Sequence, residues 1–183
     1  MLRTVGGALG VAFAVTAVAV AAGPPNLAND LKAFKRPHRA YDNLPPIAKT
    51  LAPNVTNSRR VATAVDTKKR KYYVYVTQMK DKTACIVLIP GKRYTSHCKP
   101  SAFLFEKGIR ETTSVVNGLI GGVAQNDVTK IVLAGGGKRK TIPLTTDNGF
   151  LYGCPAPTNC AKWVRQVIGY NAAGKIVSRE DVQ

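Results

Sequence analysis

The sequence predicts an all-β domain, mainly antiparallel, built of hairpins and arranged like a sandwich or a barrel. Short segments rich in Val, Ile, Thr and Tyr recur along the chain, and turn-forming residues separate them. No long segment after residue 57 has the spacing of apolar residues that an amphipathic helix requires. Ahead of this domain we expect an N-terminal signal or anchor helix and a short helical tether.

The first 22 residues have the composition of a secretory signal. Arg3 precedes an apolar run from Val5 to Ala22 that holds no charged residue, and the run ends in small residues before Gly23-Pro24-Pro25. We therefore predict that the domain is exported, and is either secreted or associated with the cell envelope. The alternative is that residues 5–22 remain as a membrane anchor, because the run approaches the ~20 residues that span a bilayer.

A tether with short helical segments is expected between the signal and the domain. Asn26–Arg39 places Leu27, Leu31 and Phe34 on one side of a short helix, which Pro37 is expected to end. Further leucines between the prolines that follow predict one or two more helical turns. The predicted organisation is residues 1–22 as signal peptide or anchor, 23–57 as tether and 58–183 as one β-rich domain, a length that suits a single folding unit.

Twelve segments of the last part have the composition of strands. Thr83–Ile89 is almost wholly apolar and predicts a central strand buried on both faces, and the three glycines of Asn117–Val123 predict a strand bent by bulges. Gly135–Lys138 and Asp147–Gly149 are turn sequences. The predicted strands are Val61–Val65, Lys71–Gln78, Thr83–Ile89, Tyr94–Cys98, Ala102–Glu106, Thr112–Val116, Asn117–Val123, Asp127–Ala134, Arg139–Thr145, Phe150–Tyr152, Trp163–Tyr170 and Lys175–Ser178.

A large excess of positive charge limits the choice of partners. The chain carries 27 Lys and Arg against 10 Asp and Glu, a formal net charge of +17, and the excess is greatest between residues 61 and 110. Such a field attracts anionic surfaces, here a membrane or a cell-wall surface. Nucleic acid is not expected as a partner of an exported protein. The alternative is that the charge only keeps the protein soluble.

The sharpest binding candidate is the basic run Lys68–Lys71, which tyrosines follow directly. Basic groups beside aromatic rings can bind along the backbone of a polyanion, with the rings available for stacking. The tyrosines of this segment are nevertheless expected to pack in the core. Other basic pairs at turns extend the candidate surface. The predicted anionic-surface residues are Lys68, Lys69, Arg70, Lys71, Lys92, Arg93, Arg139 and Lys140.

Four cysteines in an exported chain predict disulfide bonds. Cys85 and Cys98 lie on the two arms of one predicted hairpin, and Cys154 and Cys160 enclose a short loop. We predict the bonds Cys85–Cys98 and Cys154–Cys160, although four cysteines allow three pairings. The alternative, a zinc site with four thiolate ligands, lacks the paired C-x-x-C spacing typical of such sites. No metal or cofactor is predicted.

No catalytic residue is predicted. Neither His38 nor His97 has a sequence neighbour that indicates an oriented base, and no two carboxylates stand out as an acid pair. The sequence therefore favours a non-enzymatic binding or structural protein for anionic partners. The alternatives are a secreted hydrolase or inhibitor that acts through loop residues such as His97, and a membrane-anchored subunit of an envelope complex.

The chain from about residue 72 to 178 resembles a group of exported proteins of actinobacterial type. The matching segments are Gly118-Leu119-Ile120, Asp127-Val128-Thr129-Lys130-Ile131-Val132, Thr146-Asp147-Asn148-Gly149-Phe150 and Ala172-Ala173-Gly174-Lys175-Ile176-Val177. The group shares a tail of the form GLxPDGVTxVxV, DNxF and DAAGxVV, and many members carry a two-cysteine hairpin that corresponds to Cys85 and Cys98. Gln125-Asn126-Asp127-Val128 replaces the usual Pro-Asp-Gly-Val. The resemblance implies architecture and export, and it implies no activity.

Overall fold

The computed structural model describes residues 27, 31–48, 50–65, 69–101, 109–114, 118–153 and 163–182. Within these residues, eleven strands pair antiparallel in three sheets, which confirms the prediction of an all-β domain. The strands are β1 Val55–Val65, β2 Lys71–Met79, β3 Thr83–Ile89, β4 Thr95–Pro100, β5 Ile109–Ser114, β6 Leu119–Ala124, β7 Lys130–Gly135, β8 Lys138–Ile142, β9 Gly149–Gly153, β10 Gln166–Tyr170 and β11 Ile176–Asp181. The predicted signal or anchor, the predicted strand Ala102–Glu106, the pair Cys154–Cys160 and Lys68 lie outside the described residues.

The three sheets differ in their strand order. Sheet 1 has the order β1-β2-β3-β4, sheet 2 the order β5-β6-β9, and sheet 3 the order β11-β10-β7-β8. Gly136 and Gly137 form the two-residue turn between β7 and β8, with φ of 53° and 73°, as the predicted hairpin requires. The described part of the chain therefore consists largely of hairpins.

Sheet 2 lies between the other two sheets because both faces of β6 are buried. Leu119 and Val123 point into a core shared with sheet 1, whereas Ile120 and Ala124 point into a core shared with sheet 3. Successive side chains of a strand point to opposite faces. Because β6 has no charged residue, its two faces can each pack in a different core. This is why the sequence of β6 has no polar alternation.

The glycines of β6 do not form the predicted bulge. The pairing of β6 with both β5 and β9 runs without a register shift, so that prediction is wrong. A Cβ on Gly121 would lie 2.8 Å from Cγ2 of Val74 on β2. The glycine is there because the two sheets approach closely, and irregularities of register occur instead in β1 and at the β10–β11 hairpin.

Strand β3 is buried on both faces, as its apolar sequence predicts. Ala84, Ile86 and Leu88 belong to the core between sheets 1 and 2. The alternate residues of β3 pack on the opposite, outer face of sheet 1. That outer face is covered by Leu44, Ala48 and Leu51, of which Ala48 is fully buried. Sheet 1 therefore has no bare apolar face within the described residues.

The segment before β1 is packed into the domain at both ends. Leu27, Leu31 and Ala33 are buried in the core between sheets 1 and 2. Leu44, Ala48 and Leu51 pack on the outer face of sheet 1. The segment therefore passes over the edge strand β1. It contains a helix α1, Lys32–Lys35, and 3-10 turns at Ala40–Asp42, Pro46–Ala48 and Ala52–Asn54. Among the described residues, no helix has the length and apolar character needed to cross a bilayer.

Two boundaries differ from the sequence predictions for physical reasons. Helix α1 is shorter than the predicted helical segment, because it follows Leu31, which is extended with ψ of 121°. It ends at Lys35, before Pro37 as predicted, since Arg36 precedes the proline and takes an extended conformation with ψ of 156°. Strand β1 begins at Val55 rather than Val61. The added residues of β1 are mostly polar, and they are held by hydrogen bonds to the preceding segment rather than by an alternating apolar pattern.

Replacing Gly149 by alanine is expected to lower the free energy of unfolding by about 1–3 kcal/mol. A Cβ at this position would lie 2.3 Å from the carbonyl oxygen of Val61, so the backbones of β9 and β1 would have to separate. Gly153, in the same strand, is the matched control, because its Cβ would meet only Leu119 at an ordinary 3.5 Å. Urea denaturation of the two variants checks the prediction, and equal losses of stability would contradict it.

Candidate functional site

Two basic turns lie at the same end of sheet 1. Strands β1, β2, β3 and β4 run alternately up and down, so the turn after β1 and the turn after β3 fall at one end and the turn after β2 at the other. The first turn carries Lys69, Arg70 and Lys71, and the second carries Lys92 and Arg93, all exposed. We call these five residues the basic end.

The basic end is close-set because the two turns belong to neighbouring strands. Tyr73 of β2 pairs with Ile89 of β3. Lys69–Lys71 lie a few positions before Tyr73, and Lys92 and Arg93 lie a few positions after Ile89. Adjacent strands lie about 4.8 Å apart, so the two turns are side by side. The described carboxylate side chains lie elsewhere: Asp81 is at the opposite end of sheet 1, Asp42 and Asp147 are paired with Arg36, and Asp127, Glu180 and Asp181 are in or next to sheet 3.

The structure does not bring all predicted basic residues to this end. Arg139 and Lys140 are exposed on β8, which is an edge strand of sheet 3. The guanidinium of Arg139 donates a hydrogen bond to the hydroxyl of Tyr170, whose ring also lies 4.6 Å from Nζ of Lys130. Arg139 and Lys140 therefore form a separate basic edge and not a part of the sheet 1 turns.

A disulfide bond joins Cys85 of β3 to Cys98 of β4, as predicted. The two residues are direct partners in the register of the hairpin, with Cα atoms 4.0 Å apart. Because the bond lies in the hairpin that carries Lys92 and Arg93, it joins the two strands that lead to one of the basic turns. Since both sulfur atoms are in the disulfide bond, neither is a free thiolate that could bind zinc. Within the described part of the chain, no three side chains of the His, Cys, Asp or Glu type come together.

The tyrosines of β2 pack as expected for a core strand. Tyr72 faces the core between sheets 1 and 2 at 7% exposure, and Tyr75 faces the outer core at 3%. Burial is also the main cause of a raised pKa for the Tyr75 hydroxyl. Tyr73 is only half-buried. The prediction that these rings belong to the core is confirmed for Tyr72 and Tyr75, which leaves Tyr73 nearest the surface.

A buried ionic network that the sequence did not reveal lies where the segment before β1 crosses the edge of sheet 1. Arg36 donates to both carboxylate oxygens of Asp42, at 2.6 and 2.8 Å, and its Nε donates to Oδ2 of Asp147 at 2.9 Å. Asp42 is fully buried and also accepts the backbone N–H groups of Arg39 and Arg60, at 2.8 and 2.9 Å. The network links the segment to β1 and to the turn before β9.

The environment of Asp42 strongly favours its ionised form. Burial opposes ionisation, but the hydrogen bonds from Arg36 and from the N–H groups of Arg60 and Arg39 outweigh it, so the pKa of Asp42 lies well below its usual range. The hydrogen bond with Asp42 likewise raises the pKa of Arg36. The nearby Arg59 is buried, donates to the carbonyls of Ala33 and Ser58, and has its pKa lowered by that burial.

A cavity of about 300 Å³ opens beside the start of β1. Its lining residues are His38, Asn43, Leu44, Ala52, Val55, Thr56, Asn57 and Ser58. The hydroxyl of Ser58 donates to the carbonyl of Asp42, and the hydroxyl of Thr56 donates to the carbonyl of Gln78. Both hydroxyl protons are thus held by backbone oxygens rather than by a base. The other histidine, His97, is exposed on β4.

Comparison with known proteins finds no match: no family model, no curated protein and no solved structure matches this chain. The function is therefore argued from the arrangement of side chains on the surface of the domain.

Proposed function

We propose that this protein is an exported β domain that binds an anionic surface of the cell envelope, a membrane or the cell wall, and that it does so without catalysis. The observation that carries the proposal is the basic end. Five exposed cations from two turns lie together, with no described carboxylate side chain among them. The proposal includes a sandwich-like arrangement of the sheets.

The charge of the whole chain supports this proposal. A net charge of +17 attracts anionic surfaces over distances longer than a single contact, and clustered Lys and Arg add about 1 kcal/mol each near an anionic membrane. Asp42 and Asp147 both direct their carboxylates to one cation, Arg36, which lies outside the basic end. The five cations of the basic end are exposed at the surface, where an external partner can reach them.

The rigidity of sheet 1 supports a binding role for its turns. The sheet is packed on both faces, and the disulfide bond between Cys85 and Cys98 joins the two strands that carry the second basic turn. A surface whose groups are already in place loses less conformational entropy on binding. A disulfide bond is also typical of proteins outside the cytosol, which supports export.

Changing Lys69, Arg70 and Lys71 to serine is expected to weaken binding to vesicles of anionic lipid by about a hundredfold at low salt, since each basic residue contributes about 1 kcal/mol. Co-sedimentation with such vesicles and with purified anionic cell-wall polymers checks this. The control replaces Lys80, Lys82 and Lys175 by serine, three exposed cations away from the basic end.

Binding by the control variant is expected to fall far less than binding by the basic-end variant. Salt at molar concentration is expected to abolish binding of the unmodified protein, because it screens charges at the surface. An affinity that does not depend on salt, or an equal loss in the two triple variants, would contradict the proposal.

A further inference from the structure

Three arginines surround the ring of Tyr41 beside the edge of sheet 1. The guanidinium carbon of Arg60 lies 4.3 Å from the ring centre, and those of Arg36 and Arg39 lie 5.5 and 5.7 Å from it. The guanidinium of Arg60 also lies 5.3 Å from the centre of the Tyr73 ring. We call Arg39, Tyr41, Arg60 and Tyr73 the arginine–tyrosine cluster.

The cluster carries positive charge that no described carboxylate neutralises. Both carboxylates of the neighbouring network, Asp42 and Asp147, direct their side-chain ion pairs to Arg36. Arg39 directs its guanidinium to the hydroxyl of Tyr41, at 2.6 Å. The guanidinium of Arg60 lies against the two rings and also forms a hydrogen bond with the side chain of Tyr75. Two guanidinium groups are thus held at the surface with no ion-pair partner among the described carboxylates.

The two arginines are held in place by a single buried group. The backbone N–H groups of Arg39 and Arg60 both donate to the carboxylate of Asp42, which is fully buried. The rings of Tyr41 and Tyr73 then restrict the guanidinium groups, since a cation is attracted to the face of an aromatic ring. A site whose donors are already positioned binds with a smaller loss of entropy.

The cluster is open to solvent and its donors suit an oxyanion. Arg39 is exposed, Tyr41 is 36% exposed, and Arg60 and Tyr73 are half-buried. A guanidinium group presents N–H donors in a planar fork that matches the oxygens of a phosphate or a carboxylate. The tyrosine rings are uncharged, so they orient the guanidinium groups without neutralising them as a carboxylate would.

The cluster is continuous with the basic end. Tyr73 is two residues from Lys71 in β2, about 7 Å along the strand. A linear polyanion that lies on the basic end therefore reaches the cluster with its next charged groups, whereas a single small anion contacts one of the two sites only.

We propose that the arginine–tyrosine cluster is a specific subsite for one oxyanion group, phosphate or carboxylate, of the polyanion that the basic end attracts. This inference rests on the proposed function, and it adds a specific binding site to the general electrostatic attraction of the basic end. The basic end supplies long-range attraction, and the cluster supplies directed hydrogen bonds to one group of the polymer.

The test is an NMR titration of the full-length chain with pyrophosphate and, separately, with succinate, at constant ionic strength. We expect shifts in the Nε–H signals of Arg39 and Arg60 and in the ring signals of Tyr41 and Tyr73. A response to one of the two anions alone identifies the source of the oxyanion as phosphate or carboxylate. Unmoved signals with both anions would overturn the inference.

The matched variants are Arg39→Gln with Arg60→Gln, and Lys175→Gln with Arg179→Gln. The first pair is expected to weaken binding of the small anion by about tenfold or more, because charge-assisted hydrogen bonds are lost. The second pair removes the same charge from exposed residues of sheet 3 and its last turn, and is expected to change it little. Both substitutions keep the backbone N–H donors to Asp42. Arg39→Gln alone is expected to give a folded protein with a smaller loss of anion affinity than the double variant.

The outcomes separate this inference from the proposed function. If the Arg39→Gln, Arg60→Gln protein binds anionic polymers as tightly as its control does, the subsite is wrong and the basic end stands. If pyrophosphate or succinate moves the cluster signals while no anionic vesicle or polymer binds, the proposed function is wrong and the subsite stands.

Discussion

Replacing Asp42 by alanine is expected to lower the free energy of unfolding by about 3–5 kcal/mol, because one partner of a buried ion pair is removed. The alanine leaves the guanidinium of Arg36 without its bidentate acceptor and leaves the N–H groups of Arg39 and Arg60 unpaired. The segment before β1 would lose the side-chain hydrogen bond that joins it to Arg60 of β1. Since Asp42 is fully buried, water cannot replace these bonds without local opening.

Denaturant unfolding of Asp42→Ala against Asp127→Ala measures this effect. Asp127 is an exposed aspartate, so its loss is expected to change stability by less than about 0.5 kcal/mol. A loss for Asp42→Ala no larger than that of the control would show that the network does not hold the segment.

The stabilisation from Asp42 is also expected to depend on pH in a defined direction. The folded protein holds the pKa of Asp42 well below the ordinary value of 3.8. The stabilising contribution is therefore complete above that ordinary value and is lost as the pH falls below it. Unfolding of the unmodified protein and of Asp42→Asn between neutral and acid pH checks this, because their difference should shrink only in the acid range.

Replacing both Cys85 and Cys98 by alanine is expected to lower the free energy of unfolding by about 3 kcal/mol, since the bond closes a loop with a sequence separation of 13. Cys85 is fully buried between β2 and β4, so its truncation also loses packing. The second basic turn would become freer to move, and binding to anionic vesicles is expected to weaken together with stability.

The other predicted pair provides the comparison for this variant. Alanine at Cys154 and Cys160 should cost less, because the loop between them is shorter. Thermal unfolding of both double variants, with and without reductant, separates the two bonds. The prediction fails if loss of the Cys85–Cys98 bond costs no more than loss of the shorter pair, or if reductant leaves the unmodified protein equally stable.

Local sequence signals predicted the elements that depend on local physics. Thr83–Ile89 is an apolar run bounded by turn residues, and β3 has those bounds and is buried on both faces. Two glycines in left-handed conformations form the β7–β8 turn, as their sequence indicates. The disulfide bond followed from the placement of two cysteines on facing arms of one hairpin.

Contacts between distant residues were not readable from the chain. Arg36, Asp42 and Asp147 are ordinary polar residues in sequence, and only the crossing of the segment over β1 brings them together. Gly121 suggested a bulge, but its role is to let β6 approach Val74 of β2. Arg59 is likewise a polar residue in sequence, and only the structure shows that it is buried at the start of β1.

For the charged surface, too, the sequence predicted single runs of basic residues but not which runs lie close together in the fold. The basic run at Lys69–Lys71 was visible as a run, whereas its proximity to Lys92 and Arg93 follows from the up-and-down order of sheet 1. Arg139 and Lys140 look equivalent in sequence but belong to sheet 3. The arginine–tyrosine cluster draws its rings and guanidinium groups from the segment, β1 and β2, so no single stretch of sequence contains it.

The measurement that tests the central claim most directly is the salt dependence of binding to anionic vesicles, for the unmodified protein and for a variant with serine at all five residues of the basic end. If these cations displace counterions on binding, the logarithm of the binding constant falls steeply with the logarithm of salt concentration, and the slope becomes shallower in the variant. The account predicts that difference in slope. Identical slopes for the two proteins would contradict it.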